Sequence, residues 1–481
     1  AMEDAIVLGV DCANLSLGSA CGPHYYEGMT EVYDAAREAG IHVVVAAGND
    51  ASTGYRSLWG EGLVESSSVS TGTLGMPGTF DSVLTVASME NPEEISIDAI
   101  RGLSTVSWYN RAQGFRQFFV YQEAESVPEG MGFKERLVGQ FLTYTARWED
   151  AAGKLMFVPF EGGNADSIMA QAVKAQAAAV VIYDPTPTQE ELLENKYVDF
   201  SLTRFEVPMA ATSKSEYDFI WSNLPDKGLL RIDSIWNPSQ FAGQISSFSS
   251  WGPTDGLTLK PEITGIGGNV FSAYVGNDYA VASGTSMASP AVAASAALVR
   301  QYLRESGVAE EQLPHMVNCL LMSTATPVRD EEHDTLYFVR RQGAGLANAA
   351  LAMASGAYIQ VEGTDKAKLE LGDDPDRTGS YTMDFQVVNY SDADKTYRLD
   401  TTVLGQGGQF KHGKVTYLVS DYARELDAAV TSSAADGTIT VSANSTAKVS
   451  VTVTLSDADK AYMDERFPYG SYVEGFVQML S

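Results

Sequence analysis

The chain has 481 residues, of which 44% are hydrophobic and 20% charged. That excludes a disordered chain and leaves room for roughly two to four domains, each with its own core. Acidic residues number 62 against 32 basic ones, a net charge of −30, so nucleic acid and anionic membrane surfaces are not expected as partners.

No stretch approaches the roughly 18 apolar residues of a membrane span, so no membrane insertion is expected within the chain. Ala1-Met2-Glu3-Asp4 has no basic n-region, so no signal peptide is visible there. Cys12, Cys21 and Cys319 are too few for a disulfide framework. Cys12 and Cys21 are open to pairing, with free thiols the expected state.

Residues 1–109 read as α/β. Ala5 to Leu17 contains an apolar run ending in Asn14-Leu15-Ser16-Leu17-Gly18-Ser19. Met29, Val32, Ala35, Ala36 and Ala39 then recur at helical spacing, with Gly40 as the stop. Ile41 to Ala47 is a β-branched strand closed by Gly48-Asn49-Asp50. Strand, helix and strand in this order predict a parallel βαβ unit, with ligands beyond the carboxyl ends of the strands, near Gly18 and Asn49.

Residues 110–242 change texture. Phe118 to Tyr121, Lys154 to Val158 and Ala179 to Tyr183 read as strands and Asp166 to Ala178 as a helix, together an inserted α+β domain. The α/β pattern returns over 243–355. It contains Gly284-Thr285-Ser286-Met287-Ala288-Ser289-Pro290 and an alanine-rich helix, Ala291 to Leu303, with Pro290 expected in the first turn. Ser286 then stands at a helix N-terminus, where free N–H groups favour developing negative charge. Over 356–481, alternation at Tyr381, Met383, Phe385 and Val387 and at Val449, Val451, Val453 and Leu455 predicts an antiparallel β-sandwich.

Five strings stand in the order and spacing of subtilisin-like serine proteases: Asp11 to Gly18, Ala46-Ala47-Gly48-Asn49, Ser249-Ser250-Trp251-Gly252-Pro253, Lys260-Pro261-Glu262-Ile263 and the Ser286 heptad. The resemblance covers residues 1–110 and 243–352. The insert resembles a protease-associated domain, and the tail resembles the fibronectin type III-like domain of lactocepin-like cell-envelope proteinases. This implies a multidomain α/β protein with an incomplete subtilisin-like parallel sheet. It also implies Ser286 as nucleophile and Asn49 as oxyanion donor. Ser16, Leu17 and Gly18 would pair with an extended substrate, and Ala47 and Gly48 would line a pocket. For Asn49, a plain turn-former is the alternative.

A serine hydroxyl needs an oriented base, and the family's Asp-[Thr/Ser]-Gly and His-Gly-Thr-His type motifs do not occur. Of the five histidines, His24 is the least implausible substitute. His42 begins a strand remote from Asn49, His315 lies beyond the serine helix and His412 is in the sandwich. His333 is expected in a solvated acidic loop. The expectation is therefore a piece of a secreted or cell-wall-associated endopeptidase acting on protein or peptide substrates, inactive as it stands. The alternative is a non-catalytic peptide- or protein-binding module. No cofactor or catalytic metal is expected; a structural calcium ion is possible, although no loop shows a diagnostic ligand pattern.

Overall fold

The computed structural model describes residues 1–51, 72–91, 104–110, 114–120, 141–160, 166–183, 207, 209–212, 214, 217–218, 221, 230–233, 242–274, 278–408, 411–412, 415–416, 422–468 and 470–480. The chain divides into two compact units. One holds Ala1–Glu90, Gly243–Gly268 and Ser283–Ser481; the other holds Asn91–Ala242 and Asn269–Ala282. The sequence places the boundaries of the second unit at 110 and 242 and does not anticipate that residues 269–282 group with it.

The first unit opens with helix α1 (Met2–Leu8), strand β1 (Cys12–Leu15), helix α2 (Thr30–Glu38) and strand β2 (His42–Ala46). The apolar run from Ala5 therefore begins as a helix. Glu3 and Asp4 occupy its first turn, and Gly9 ends it at φ +65°, a left-handed C-terminal stop that glycine adopts without strain. Strands β3 (Leu84–Glu90) and β4 (Ile263–Gly268) complete a parallel sheet in the order β1, β2, β3, β4. Register pairs Cys12 with His42, Val44 with Leu84 and Ile263 with Val86.

Helix α3 (Thr285–Glu305) packs across this sheet. Its Ala288, Val292, Ala296, Val299 and Leu303 are buried with Val44, Leu84, Val86 and Ile263. Close seating needs glycine in β4. A Cβ on Gly265 would lie 2.7 Å from the Ala288 oxygen, and one on Gly267 would lie 2.5 Å from the Gly284 oxygen. The bare β4 backbone therefore brings the start of α3 to the carboxyl end of the sheet.

The same unit ends in two antiparallel sheets. One contains β5 (Ser380–Asn389) and the other β6 (Lys395–Gln406), with β7 (Ser445–Leu455) beside β5 and β8 (Glu474–Leu480) beside β6. The expected alternation holds: Val449, Val451, Val453 and Leu455 are buried with Phe385 and Val387, and Tyr381 and Met383 pack half-buried against them.

In the second unit, Tyr144–Thr145, Leu155–Pro159, Ala179–Tyr183 and Met209–Thr212 form a parallel sheet. Helix Asp166–Lys174 buries Met169 and Ala172 with Met156, Val158, Val180 and Ile182. Gly114–Val120 pairs antiparallel with Ser104–Asn110 in a separate sheet. Of the strand expected over 118–121, Tyr121 lies outside the described residues.

Candidate active site

Helix α3 starts earlier than its alanine run suggests. Gly284 is the N-cap, its N–H bonded to the Gly267 oxygen at 2.9 Å, and Thr285 is the first helical residue. Ser286 is second, while Pro290 is sixth. The sequence reading of Pro290 as a first-turn residue is thus corrected: it lies one turn further in, where its missing N–H would otherwise have bonded to Ser286.

Asn49 follows β2. Gly48 has φ +108°, and a Cβ there would lie 2.8 Å from Ser250 Oγ, so only glycine fits the turn comfortably. Ser250 braces the turn on both sides. Its N–H donates to the Gly48 oxygen at 2.9 Å, and its Oγ accepts from the Asp50 N–H at 3.0 Å.

Thr285 then fixes the Asn49 amide. Asn49 Oδ1 accepts from the Thr285 N–H at 3.0 Å and from Thr285 Oγ1 at 2.9 Å, while Oγ1 accepts from the Gly48 N–H at 3.1 Å. With two donors on Oδ1, the amide can face only one way, and Nδ2 is left to donate elsewhere. Among the described residues neither Nδ2 nor the Ser286 N–H has an acceptor. Both nitrogens lie near one point: a Cβ on Gly284 would be 3.3 Å from Asn49 Nδ2 and 3.6 Å from the Ser286 nitrogen. Two unpaired donors beside a serine hydroxyl, at a helix N-terminus, suit a developing oxyanion.

Ser16, just past β1, meets the same helix turn. Ser286 Oγ donates to the Ser16 carbonyl oxygen at 3.4 Å, and Ser16 Oγ donates to the Ser286 carbonyl oxygen at 2.6 Å. Leu17 is exposed. Among the described residues, the backbone groups of Leu17 and Gly18 make no hydrogen bond and are free to pair with an extended chain. Gly18 runs against Gly75, where a Cβ on Gly18 would lie 3.5 Å from the Gly75 Cα. Ala47 is buried; its N–H donates to Val86 and its oxygen accepts from the Gly75 N–H. It can shape a pocket wall but has no spare backbone N–H.

No histidine bonds to Ser286 among the described residues. His24 is engaged elsewhere, its backbone N–H and its Nδ1 2.6 and 2.8 Å from Asp255 Oδ1. His42 is buried at the opposite end of β2, and burial, with Arg300 nearby, pushes it down to about 4. His315 lies beside Cys319 in helix Leu313–Ser323, and His412 is in a short strand pairing. His333 lies, as expected, in an exposed acidic turn, where its ring stacks on Tyr422 at 4.2 Å and Nδ1 is 2.9 Å from the buried Asp330. All three cysteines are free thiols. Among the described residues, no group of three or more His, Cys, Asp or Glu is placed to hold a metal ion.

Residues 1–345 match the Subtilase family, and residues 369–481 match an Fn3-like domain. The chain belongs to the subtilase family. Similar curated proteins include the PII-type proteinase of Lacticaseibacillus paracasei, 27% identical over 99% of this chain and 25% of that protein. The PI-type proteinase of Lactococcus lactis subsp. cremoris shows the same figures. The C5a peptidase of Streptococcus pyogenes is 27% identical over 99% of this chain and 38% of its own length. The chain thus spans about a quarter to two fifths of these relatives. All three are named as proteinases or peptidases, in keeping with the protease resemblance read from the sequence strings.

The sequence strings located Ser286 and Asn49 but not the supporting roles of Thr285 and Ser250. Both residues are within the quoted strings. Their contacts reach Asn49 and Asp50 from 236 and 200 positions away, which no local pattern encodes.

Proposed function

We propose that this subtilase chain is the nucleophile-bearing part of a secreted or cell-wall-associated serine endopeptidase that cleaves extracellular proteins. The observation that carries the reading is the Thr285 clamp, which turns Asn49 Nδ2 outward beside the Ser286 N–H. Ser286 Oγ attacks the scissile carbonyl carbon while a histidine base takes its proton. Asn49 and the Ser286 N–H stabilise the oxyanion, and the C–N bond then breaks as the base returns the proton to the leaving amine. Water hydrolyses the resulting acyl-enzyme ester by the same route. The base and its orienting carboxylate come from residues outside 1–481.

Ser16, Leu17 and Gly18 pair with the extended substrate, and Ala47 and Gly48 line the pocket for the side chain before the cut. The catalytic portion is the part of the first unit that precedes residue 356, with the second unit a protease-associated insert and 356–481 the fibronectin type III-like sandwich. No cofactor enters the reaction.

The test is peptide hydrolysis by the full-length protein and by residues 1–481 alone. Asn49→Ala in the full-length protein lowers kcat roughly 100- to 1000-fold with KM little changed, a magnitude that is subtilisin's own. Residues 1–481 alone show no Ser286-dependent turnover. Brisk turnover by this chain alone would overturn its inactivity. A full-length protein that binds peptide without any Ser286-dependent cleavage would favour the non-catalytic binding module instead.

A further inference from the structure

Pro290 creates a vacancy in helix α3 at the carbonyl of the candidate nucleophile. An α-helical carbonyl accepts from the N–H four residues on; for Ser286 that residue is proline, which has no N–H and whose ring pushes against the carbonyl. The vacant place is filled from outside the helix. Ser16 Oγ lies 2.6 Å from the Ser286 oxygen and, as a hydroxyl facing a carbonyl, must be the donor. Asn14 Nδ2 donates to the same Oγ at 3.0 Å, which occupies a lone pair and directs the single hydroxyl proton toward Ser286. Ser289 Oγ, 3.1 Å away, can donate to the remaining lone pair. The return contact runs from Ser286 Oγ to the Ser16 carbonyl oxygen at 3.4 Å.

We propose that the Ser16 side chain is a positioning residue, the substitute helical donor that fixes the backbone of Ser286 in register with the substrate-pairing strand. The proline and the hydroxyl work as one device. Proline frees the nucleophile's carbonyl from its own helix, and Ser16 ties that carbonyl to the segment along which the substrate lies. The distance from Ser286 Oγ to a bound scissile carbonyl is then set by one short hydrogen bond. This rests on the reading of Ser286 as nucleophile.

The test is a double-mutant cycle in the full-length protein, with kcat, KM and Tm measured for each variant. Ser16→Ala lowers kcat on the order of 10- to 100-fold, the scale of a displaced reacting group, while KM stays nearly unchanged. Pro290→Ala returns a backbone N–H to the helix. In that background Ser16→Ala changes kcat by no more than about twofold, because the helix then supplies the bond itself. A kcat loss of the same size in both backgrounds, or no loss in the first, would overturn the inference. So would a fall in Tm that tracks the kcat loss and is not rescued by Pro290→Ala. A Ser286→Ala protein with full turnover would instead sink the nucleophile reading, and the inference with it.

Discussion

His42 opens β2 with its ring buried, surrounded by Arg300, Asn318, Asp365 and Asp11. Burial, aided by Arg300, disfavours the charged ring and outweighs the other three, so the folded value is about 4 against an ordinary 6.5. Between those values the unfolded chain binds a proton that the folded chain refuses. Stability therefore falls as pH drops through this window, by at most about 1.4 kcal/mol per pH unit. His42→Leu should remove that share of the acid slope. Denaturant unfolding across the window, wild type against variant, checks it; identical slopes would contradict it. At this scale the sequence set Ser286 near a helix start, Asn49 just past a strand and His42 at that strand's remote end, because each belongs to a local string. The Ser16 bond to Ser286 was not legible, since it spans 270 positions.

Elements show where local pattern runs out. The serine helix was visible from its alanines, yet its true start at Thr285 depends on the Gly284 bond to Gly267 in a distant strand. The run from Ala5 looked strand-like because its apolar residues are contiguous. The helix it forms packs Met2, Ala5 and Ile6 against a cluster that includes Val43 and Val45. Strand β4 carries a further dependence. Just before it, the fully buried Glu262 carboxylate faces three ammonium groups, at 2.9 Å from Lys260, 3.1 Å from Lys366 and 3.2 Å from Lys368. Burial pulls Lys260 down to about 7 against the attraction of Glu262. Glu262→Gln keeps the shape but leaves the buried Lys260 and Lys366 without their shared counter-charge, while Lys368 keeps Glu370 at 3.0 Å. The expected cost is about 3–5 kcal/mol, read from denaturant unfolding; a loss below about 1 kcal/mol, the range of an exposed pair, would contradict the assignment.

Across the whole first unit, the sandwich and the subtilase portion share a core. Trp251 and Phe338 are buried with Leu404 and Ala423 and touch the half-buried Phe476. Buried Arg340 pairs with Glu474, and its guanidinium lies 4.1 Å from the Phe338 ring centre. Trp251 directly follows Ser250, the residue that braces the Gly48 turn, so the sandwich core continues into the support of the site. The order of the modules was legible in the sequence because each has its own periodicity. Their shared core was not, because it joins residues from separate strings. On the proposed reading, Ser286 becomes a nucleophile only with a base from outside 1–481. A fluorophosphonate probe, followed by peptide mapping, tests it most directly. An adduct is expected on Ser286 in the full-length protein and none on residues 1–481 above the Ser286→Ala background. A full-length protein left unlabelled at Ser286, or residues 1–481 labelled there as fast as the full-length protein, would contradict it.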